Sequence, residues 1–443
     1  MKKNRPIRWS NWSGSVRCHP EAVVYPASVG EVAEIVRHAR DQGKQVRIAG
    51  RGHSFTPLVQ TEHILLSLDS LQGLLEVDEE GQTATLWAGT QLKQAGKLLH
   101  QEGWAQENMG DINVQSLAGA ISTGTHGTGA QLGSLSTQVE ELTMVTASGE
   151  IIRCSKQERP QLFRAACLSL GTLGVITQIK LRVLPAYRLH YASRRCRLSE
   201  LLQRLEEWKK YNRHFEFYWF PYTETVQAKW INVTDLPSGG KKWWKAWNQV
   251  VLENGLYWLL SEGVRLLPGL SGPVSRLSAR AVPVSEEVGE SHRMFATPRW
   301  VRFNEMEYAV PAEAMASVLE EIRFFIQREQ IQVHFPIECR FVQKDDLWLS
   351  PAYDRDSAYI AVHMYKGMPY DKYFTGVEQI FRRYGGRPHW GKLHYLTAEE
   401  LGDLYPKWND FREIRAEWDP DGVFLTPYLQ KLLGGGKREA VQV

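Results

Sequence analysis

The first 185 residues alternate between apolar runs typical of strands and apolar residues at helical spacing. Ser28 and Glu31 have the spacing of a capping box, and the apolar positions 32, 35, 36 and 39 that follow share one helical face. Gly43 is expected to end this helix, and Gly103 a second one that contains Leu92. Short apolar runs predict strands at 23–25, 45–49 and 84–87. The alternation predicts a mixed α and β region.

Further strands are predicted along the chain, followed by a change in pattern. Residues 141–147 and 150–154 flank Ser148-Gly149, which predicts a hairpin, and residues 175–184 alternate between two sets of side chains as a strand does. Long polar and aromatic segments begin at about residue 186, so we interpret Pro185 as a boundary. The predicted domains are 1–185, 186–385 and a C-terminal segment, 386–443.

Composition narrows the class of protein. Hydrophobic residues make up 43% and charged residues 23% of the chain, as in ordinary globular proteins. The net charge of +3 argues against a general nucleic-acid binder, no apolar run is long enough to cross a bilayer, and the basic start lacks the apolar stretch of a signal peptide. The cysteines have neither zinc nor disulfide spacing, which predicts a cytoplasmic protein: Cys18, Cys154, Cys167, Cys196 and Cys339.

Three loops rich in glycine and small polar residues are candidates for phosphate binding. The first, Gly50-Arg51-Gly52-His53-Ser54, is not a Rossmann fingerprint, because Phe55 stands where the third glycine would be. The second runs from Ser116 to Gly129 and the third from Gly171 to Gly174. Backbone N–H groups and hydroxyls without bulk suit a pyrophosphate. Three ordinary turns are the alternative, but three such loops in one region favour one large dinucleotide.

A second set of polar residues lies in the C-terminal half. Glu338 and Arg340 are two residues apart in a predicted strand, 332–342, and therefore share one face. His363 lies in another predicted strand, 358–365, and residues 387–392 form a basic, aromatic turn. These donors and acceptors suit a polyhydroxylated substrate, with a surface ion pair of Glu338 and Arg340 as the alternative. No His, Asp and Glu residues have zinc spacing, so no metal is expected.

Seven motifs spread over nearly the whole chain occur together: Asn11-Trp12-Ser13-Gly14, Gly50-Arg51-Gly52-His53-Ser54-Phe55, Ser122-Thr123-Gly124-Thr125-His126-Gly127-Thr128-Gly129, Gly171-Thr172-Leu173-Gly174-Val175-Ile176-Thr177, Glu338-x-Arg340, Trp348-Leu349-Ser350-Pro351-Ala352-Tyr353 and His389-Trp390-Gly391-Lys392. They resemble the aldonolactone oxidoreductases and alditol oxidases of the vanillyl-alcohol-oxidase superfamily of flavoproteins. The resemblance implies an α+β, two-domain FAD-binding fold. Residues 1–185 and the C-terminal segment would bind FAD, and the middle would form a substrate cap over the flavin ring.

The resemblance also implies roles for individual residues. His53 would be bonded covalently to the 8α-methyl group of the flavin. Arg340 or Lys392 would stabilise the alkoxide that develops on the substrate, Glu338 would orient Arg340, and His363 would be a further polar contact or proton acceptor. The other residues expected to contact FAD are Ala49, Gly50, Arg51, Gly52, Ser54, Gly110, Asp111, Ser116, Gly119, Ser122, Thr123, Gly124, Thr125, His126, Gly127, Gly174, Val175, Ile176, His389 and Lys392.

The implied function is oxidation of a sugar 1,4-lactone of the gulono-, galactono- or arabinono type, with hydride transfer to flavin N5 and reoxidation by O2 to give hydrogen peroxide. In the resembling family an alanine at the position of Gly110 is associated with dehydrogenases that exclude O2, so Gly110 favours an oxidase, with a backbone turn before Asp111 as the alternative. Asp111 replaces a serine found in several relatives, which leaves the substrate open. The alternatives are an alditol oxidase, a dehydrogenase of the same family with another acceptor, and a peripheral membrane or carbohydrate-binding module without turnover. The last is suggested by the basic, aromatic cluster at 241–247.

Overall fold

The computed structural model describes residues 7–239, 243–296 and 301–434. Helices and strands are mixed throughout, which confirms the predicted α+β fold. The strands of the N-terminal part are β1 Trp9–Ser10, β2 Arg17–Cys18, β3 Ala22–Val24, β4 Val46–Ala49, β5 Ile64–Ser67, β6 Leu74–Asp78, β7 Thr83–Trp87, β8 Trp104–Ala105, β9 Val139–Val145, β10 Ile151–Ser155, β11 Val175–Arg182 and β12 Leu184–Pro185. Its helices are α1 Val29–Asp41, α2 Leu92–Gln101, α3 Leu117–Ser122 and α4 Pro160–Ala166.

Helix α1 shows how local sequence sets these elements. Ser28 Oγ accepts a hydrogen bond from the backbone N–H of Glu31 at 3.1 Å, as the capping-box spacing predicts. The Glu31 carboxylate accepts from the N–H of Ala27 instead of that of Ser28, so the box is only half formed. Gly43, just beyond the helix, has φ +63°, a conformation that glycine adopts without strain.

Two sheets form the N-terminal part. Strands β3, β5 and β4 make a parallel sheet in that order, and an antiparallel sheet has the order β10-β9-β11-β7-β6. The pairing of β9 with β10 confirms the predicted hairpin. Both sheets end in glycine-rich loops: Gly50 follows β4 directly, and Gly174 precedes β11. The ends of these strands therefore fix the positions of the candidate phosphate-binding loops.

The C-terminal half is built on one antiparallel sheet of eight strands, in the order β16-β13-β15-β14-β18-β19-β17-β20. Its strands are β13 Arg188–Arg197, β14 His214–Trp219, β15 Thr225–Thr234, β16 Glu286–Glu290, β17 Phe303–Pro311, β18 Ile337–Val342, β19 Ser357–Tyr365 and β20 Arg387–Pro388. Strand β18 is shorter than the predicted strand 332–342, which was wrong at its start. Pro336 has no N–H to donate to a neighbouring strand.

The remaining helices cover this sheet and lead back to the N-terminal part. They are α5 Leu198–Gln203, α6 Leu205–Tyr211, α7 Trp243–Leu266, α8 Ser271–Ala281, α9 Ser291–Met294, α10 Met315–Arg328, α11 Asp371–Arg383, α12 Ala398–Leu404, α13 Trp408–Trp418 and α14 Pro427–Leu433. The basic cluster 241–247 lies partly outside the described residues, because Lys241 and Lys242 are not among them. Of the helices described, none is long and apolar enough to cross a membrane.

The C-terminal segment packs against the first parallel sheet. The N–H of Val46 in β4 donates to the carbonyl of Val423 at 2.8 Å, and the buried guanidinium of Arg47 donates to the carbonyl of Phe424 at 3.1 Å. The Asp419 carboxylate accepts from the N–H groups of Val423 and Phe424, which fixes this returning turn. The predicted domain limits at residues 185 and 385 stay predictions.

Candidate active site

One face of the eight-stranded sheet carries charged side chains on five neighbouring strands, β15, β14, β18, β19 and β17. The register pairs Lys229 with Glu216, Tyr218 with Glu338, and Glu305 with His363. Side chains two residues apart share a face, so Arg340 joins Glu338 and Glu307 joins Glu305. A sheet face that would ordinarily be apolar is therefore a row of buried ionisable groups, as a site for a polar ligand requires.

Arg340 is held between two carboxylates. Its Nε lies 3.0 Å from Glu216 Oε2, and its Nη2 pairs with Glu338 Oε1. The same oxygen of Glu338 accepts a hydrogen bond from Tyr218 Oη at 2.8 Å. Burial alone would lower the pKa of Arg340, but the charges of Glu338 and Glu216 raise it well above its ordinary value. The guanidinium is therefore a fixed cation at a fixed position.

His363 lies between two carboxylates as well. Its Nδ1 is 3.2 Å from the carbonyl of Pro336, which can only accept, so Nδ1 carries a proton. Its Nε2 lies 3.4 Å from Glu305 Oε1 and 3.9 Å from Glu338 Oε2. A proton placed on Nε2 would be shared with two acceptors, so the geometry suits a group that receives a proton there.

Lys392 reaches this row from the turn that follows β20. Its Nζ lies 2.5 Å from Glu305 Oε2. The turn is tied to β17 because the N–H of His389 donates to the carbonyl of Glu307 at 2.9 Å, and the N–H of Leu393 to that of Glu305 at 3.0 Å. Glu305 thus joins Lys392 to His363.

A buried group of two histidines and one glutamate lies beside β17, which supplies the glutamate. His126 Nε2 is 3.3 Å from Glu307 Oε1, and the His126 Nδ1 donates to the carbonyl of Gly127 at 2.8 Å. Burial would raise the pKa of Glu307, but His126 and more distant cations lower it to about 2. Burial lowers the pKa of His389 to about 3. The donor atoms of His126, Glu307 and His389 lie within 4.8 Å of one another, yet the interpretation without a metal stays a prediction.

The glycine-rich loops enclose a separate cleft of about 970 Å³, part of it open to solvent. The loops approach too closely for larger side chains: a Cβ on Gly50 would lie 2.4 Å from Ser116 Oγ. His53 lines the cleft and is stacked on Trp12, with ring centroids 5.8 Å apart. Among the residues that the structure describes, its buried Nδ1 has no hydrogen-bond partner. Burial, and to a smaller extent the charge of Lys392, lower the pKa of His53 to about 4, so the imidazole is neutral at pH 7.

The predicted cofactor residues fall into three groups. Those that line the cleft are Ala49, Gly50, Arg51, Gly52, His53, Ser54, Ser116, Gly119, Ser122, Thr123, Gly174 and Ile176. Those that line a smaller polar cavity next to it, together with Glu338 and Arg340, are Gly110, Asp111, Thr125, His126, His389 and Lys392, while His53, Ser54 and Thr123 line both. Gly124, Gly127 and Val175 line neither space; Gly127, for example, packs against Asn108.

Sequence reasoning missed several residues that the sheet brings into the site, namely Glu216, Tyr218, Lys229, Glu305 and Glu307. One signal was present for two of them. Glu305 and Glu307 alternate with apolar residues in the run Phe303 to Val310, where a strand buried on both faces would be apolar throughout. Two carboxylates on one face of such a strand indicate a polar site.

Comparison with known proteins identifies the family of this chain. Residues 179–432 match the family model described as D-arabinono-1,4-lactone oxidase, and residues 20–155 match that of an FAD binding domain. The chain belongs to the D-arabinono-1,4-lactone oxidase family. It is 39% identical to an L-gulono-1,4-lactone dehydrogenase of Mycobacterium tuberculosis, over 96% of this chain and 99% of that one. It is 34% identical to an L-gulonolactone oxidase of Scyliorhinus torazame, over 96% and 98% of the two chains.

Solved structures agree on the fold. A solvent-stable cholesterol oxidase matches 97% of both chains with a TM-score of 0.80, at 21% sequence identity. These comparisons confirm the predicted resemblance, the two-domain FAD-binding fold and the cofactor. This lactone oxidase family member is an FAD-dependent oxidoreductase that acts on CH–OH groups. The cleft fits the cofactor, since it is lined by close-packed glycine loops and by His53, whose buried Nδ1 has no hydrogen-bond partner among the described residues.

Proposed function

We propose that this protein oxidises a carbinol carbon of a sugar 1,4-lactone, with FAD bound covalently through His53. The observation that carries the proposal is the polar cavity in which Glu338, Arg340 and Lys392 converge beside His53. Relatives that the chain matches over nearly its full length are named for gulono- and arabinono-1,4-lactones. A ring with several hydroxyls suits a cavity that is lined by carboxylates and cations.

Each side chain has a separate role in the proposed reaction. Bound FAD would supply the hydride acceptor for the carbinol carbon. Arg340 and Lys392 stabilise negative charge as it develops on the substrate oxygen, and they cost no reorganisation because ion pairs already hold them. His363 Nε2 accepts the hydroxyl proton, with Glu305 and Glu338 ready to share it. Asp111, which lines the same cavity, accepts a hydrogen bond from another substrate hydroxyl.

A covalent bond through His53 agrees with the state of that side chain. A nucleophilic imidazole must be unprotonated, and burial holds the pKa of His53 at about 4. In the part of the chain that the structure describes, its buried Nδ1 has no hydrogen-bond partner, so no group there competes for it. The stacking on Trp12 fixes the plane of the ring.

O2 is the electron acceptor in this proposal. A Cβ on Gly110 would lie 3.1 Å from Thr125 Cγ2 and 3.3 Å from the carbonyl of His126, so an added methyl group would fill space at the wall of the cavity. Gly110 adds no side chain to this wall, which leaves the cavity that it lines open to a small molecule. A dehydrogenase with another acceptor is the second candidate, because one relative carries that name.

Three measurements test the proposal. The visible spectrum before and after acid precipitation shows whether flavin is present and whether it is covalent. Anaerobic reduction with gulono-, galactono- and arabinono-1,4-lactone, compared with xylitol and sorbitol, separates a lactone oxidase from an alditol oxidase. Peroxide detection in air then identifies the acceptor. Flavin reduction by polyols alone would contradict the lactone proposal, and flavin lost into the acid supernatant would contradict the covalent bond.

Arg340→Ala supplies a residue-level check. Losing one preorganised donor beside developing charge lowers the rate of flavin reduction about a hundredfold or more. Flavin content should stay normal, since Arg340 lines the small cavity and not the cofactor cleft. A near-wild-type reduction rate would remove Arg340 from the reaction.

A further inference from the structure

Lys229 is a largely buried cation to which the proposed reaction gives no role. It lies on β15 opposite Glu216 of β14, and its Nζ is 3.4 Å from Glu216 Oε1, with each side chain 16% exposed. Burial would lower the pKa of Lys229, but nearby carboxylates, Glu216 foremost, raise it above its ordinary value. Lys229 lines a mostly apolar cavity together with Tyr218, and it does not line the polar cavity that holds the reacting groups. Lys229 is therefore a permanent charge that lies outside the substrate cavity.

Two contacts of Lys229 lead to residues of the active site. The first is with Glu216, whose other oxygen, Oε2, accepts a hydrogen bond from Arg340 Nε at 3.0 Å. The second is with the aromatic ring of Tyr218: Lys229 Nζ lies 4.1 Å from the ring centre, a distance at which an ammonium is attracted to the face of the ring. The hydroxyl of Tyr218 donates to Glu338 Oε1 at 2.8 Å. Lys229 thus supports both Arg340 and Glu338.

A direct contact between Arg340 and Glu338 closes these links into a ring. Arg340 Nη2 pairs with the same Glu338 oxygen that Tyr218 contacts. We call this set the Lys229 ring; its members, in order, are Lys229, Glu216, Arg340, Glu338 and Tyr218. The Lys229 ring contains two cations and two carboxylates, so its buried charges are balanced. Because a free arginine side chain can adopt many rotamers, a closed ring that holds the guanidinium at two points removes freedom that a single ion pair would leave.

We propose that Lys229 is a positioning residue for oxidation of the lactone. Through Glu216 it fixes the guanidinium of Arg340. Through Tyr218 it fixes the carboxylate of Glu338. This inference rests on the proposed function, in which Arg340 stabilises charge that develops on the substrate oxygen. Without the ammonium, both oxygens of Glu216 can draw the guanidinium toward β14, and Tyr218 loses the cation that holds its ring from β15. A small displacement of a group beside developing charge lowers the rate, because such stabilisation depends on fixed geometry.

Anaerobic stopped-flow reduction of the holoenzyme tests this role, over a range of concentrations of the 1,4-lactone that reduces the flavin fastest. Lys229→Met removes the charge, and we expect the limiting rate of flavin reduction to fall about tenfold. The half-saturating lactone concentration should change less than about threefold, because the Lys229 ring acts on groups that stabilise the transition state. Lys229→Arg keeps a cation that can pair with Glu216 and stack on Tyr218, so its rate should stay within about threefold of the wild type.

Lys209→Met is the matched control. The side chain of Lys209 is also 16% exposed, pairs with Glu206 at 2.7 Å and lies over an aromatic ring, that of Phe341. Phe341 follows Arg340 directly in β18, so these two side chains lie on opposite faces of the sheet. Lys209→Met therefore removes a similar cation from the other face, and flavin reduction should stay at the wild-type rate.

Two further variants show whether Lys229 acts through the Lys229 ring. Lys229→Met in the Arg340→Ala background should be at most about twofold slower than Arg340→Ala alone, because the main group that it positions is absent. Tyr218→Phe keeps the aromatic ring beside the ammonium and removes the hydrogen bond to Glu338. This variant should lower the limiting rate about tenfold with normal flavin content, and it tests the Lys229 ring even if Lys229→Met does not fold.

A wild-type limiting rate in either Lys229→Met or Tyr218→Phe would overturn the proposal, and so would a Lys229→Arg variant as slow as Lys229→Met. A loss that persists in full in the Arg340→Ala background would overturn it as well. Arg340→Ala alone separates this inference from the proposed function. If that variant reduces flavin at the wild-type rate, the proposed role of Arg340 fails, whereas a slow Arg340→Ala beside an unchanged Lys229→Met rejects only the positioning role.

Discussion

The ion pair of Lys392 and Glu305 offers the sharpest test of the proposed chemistry. Lys392 Nζ and Glu305 Oε2 are 2.5 Å apart, and both side chains are largely buried. Lys392→Met keeps the length of the side chain and removes its charge. One preorganised cation at developing charge contributes about a hundredfold in rate, which corresponds to about 2.7 kcal/mol of activation free energy. We therefore expect flavin reduction by the lactone to slow at least about a hundredfold.

Glu305→Gln separates positioning from direct participation. The amide keeps the shape of the side chain but no longer pairs with Lys392, so the cation is less fixed and the rate should fall by about tenfold. If Glu305 acts only through Lys392, then Glu305→Gln should add nothing in the Lys392→Met background. If Glu305 also shares the proton that His363 accepts, a further loss should remain in the double variant, together with a shift of the pH profile of flavin reduction.

Anaerobic stopped-flow reduction measures all four proteins of this cycle. A second readout is available, since Lys392 lowers the pKa of His53: Lys392→Met should raise the pKa of that imidazole in flavin-free protein, while burial still holds it below 6.5. Lys372→Met is the control, because Lys372 forms a similar pair with Glu329 at 3.0 Å on the surface. Unchanged reduction in Lys392→Met would refute the reasoning, as would an equal loss in the control.

Three further predictions follow from the structure. His53→Ala should release its flavin on acid precipitation while wild-type protein stays yellow, and flavin that remains attached to the variant would contradict the assignment of His53. Gly110→Ala should slow reoxidation by O2 in stopped-flow mixing and leave the reductive step nearly unchanged, because the added Cβ lies 3.1 Å from Thr125 Cγ2; equal reoxidation rates would reject a role for Gly110. Acid should destabilise the fold through buried histidines whose pKa values burial lowers from 6.5 to about 4 or below: His214, His334 and His389. As pH falls below 6.5, these histidines take up protons in the unfolded chain but not in the folded chain, so their contribution to stability is complete above pH 6.5. Near pH 5 the free energy of unfolding, measured with urea, should fall by about 1.4 kcal/mol per pH unit for each histidine. A free energy of unfolding that stays constant between pH 6.5 and 4.5 would contradict this.

The local elements and the cofactor loops could be predicted from the sequence because their signals are local. Ser28 caps the start of α1 by accepting a hydrogen bond from Glu31, only three residues along the chain. The glycines at 50 and 174 lie directly beside their strands. The start of β18 was predicted too early, because a pattern of strand-forming residues does not show the effect of the one N–H group that Pro336 lacks. The spacing of Glu338 and Arg340 placed them on one strand face, but only motif resemblance joined Lys392 to them.

The partners of those residues could not be predicted, since they depend on strand order. Glu216 contacts Arg340 from a position 124 residues away. The sheet order β14-β18-β19-β17 is what places Glu216 on one side of the site and Glu305 on the other. No period in the sequence reveals that order, because each strand alone is compatible with many neighbours.

The strand order also decides which charged groups lie beside His363, the proposed proton acceptor. In the described part of the site, five carboxylates share one polar region with three fixed cations: Asp111, Glu216, Glu305, Glu307 and Glu338 with Lys229, Arg340 and Lys392. Buried charges are tolerated only when balanced, so each of these carboxylates depends on a cation or a histidine beside it. His126 and His363 each direct Nε2 at a carboxylate while Nδ1 is committed to a backbone carbonyl. In the proposed reaction, the proton of the substrate hydroxyl passes to Nε2 of His363, which lies between Glu305 and Glu338, and loss of the hydride makes that proton easier to release.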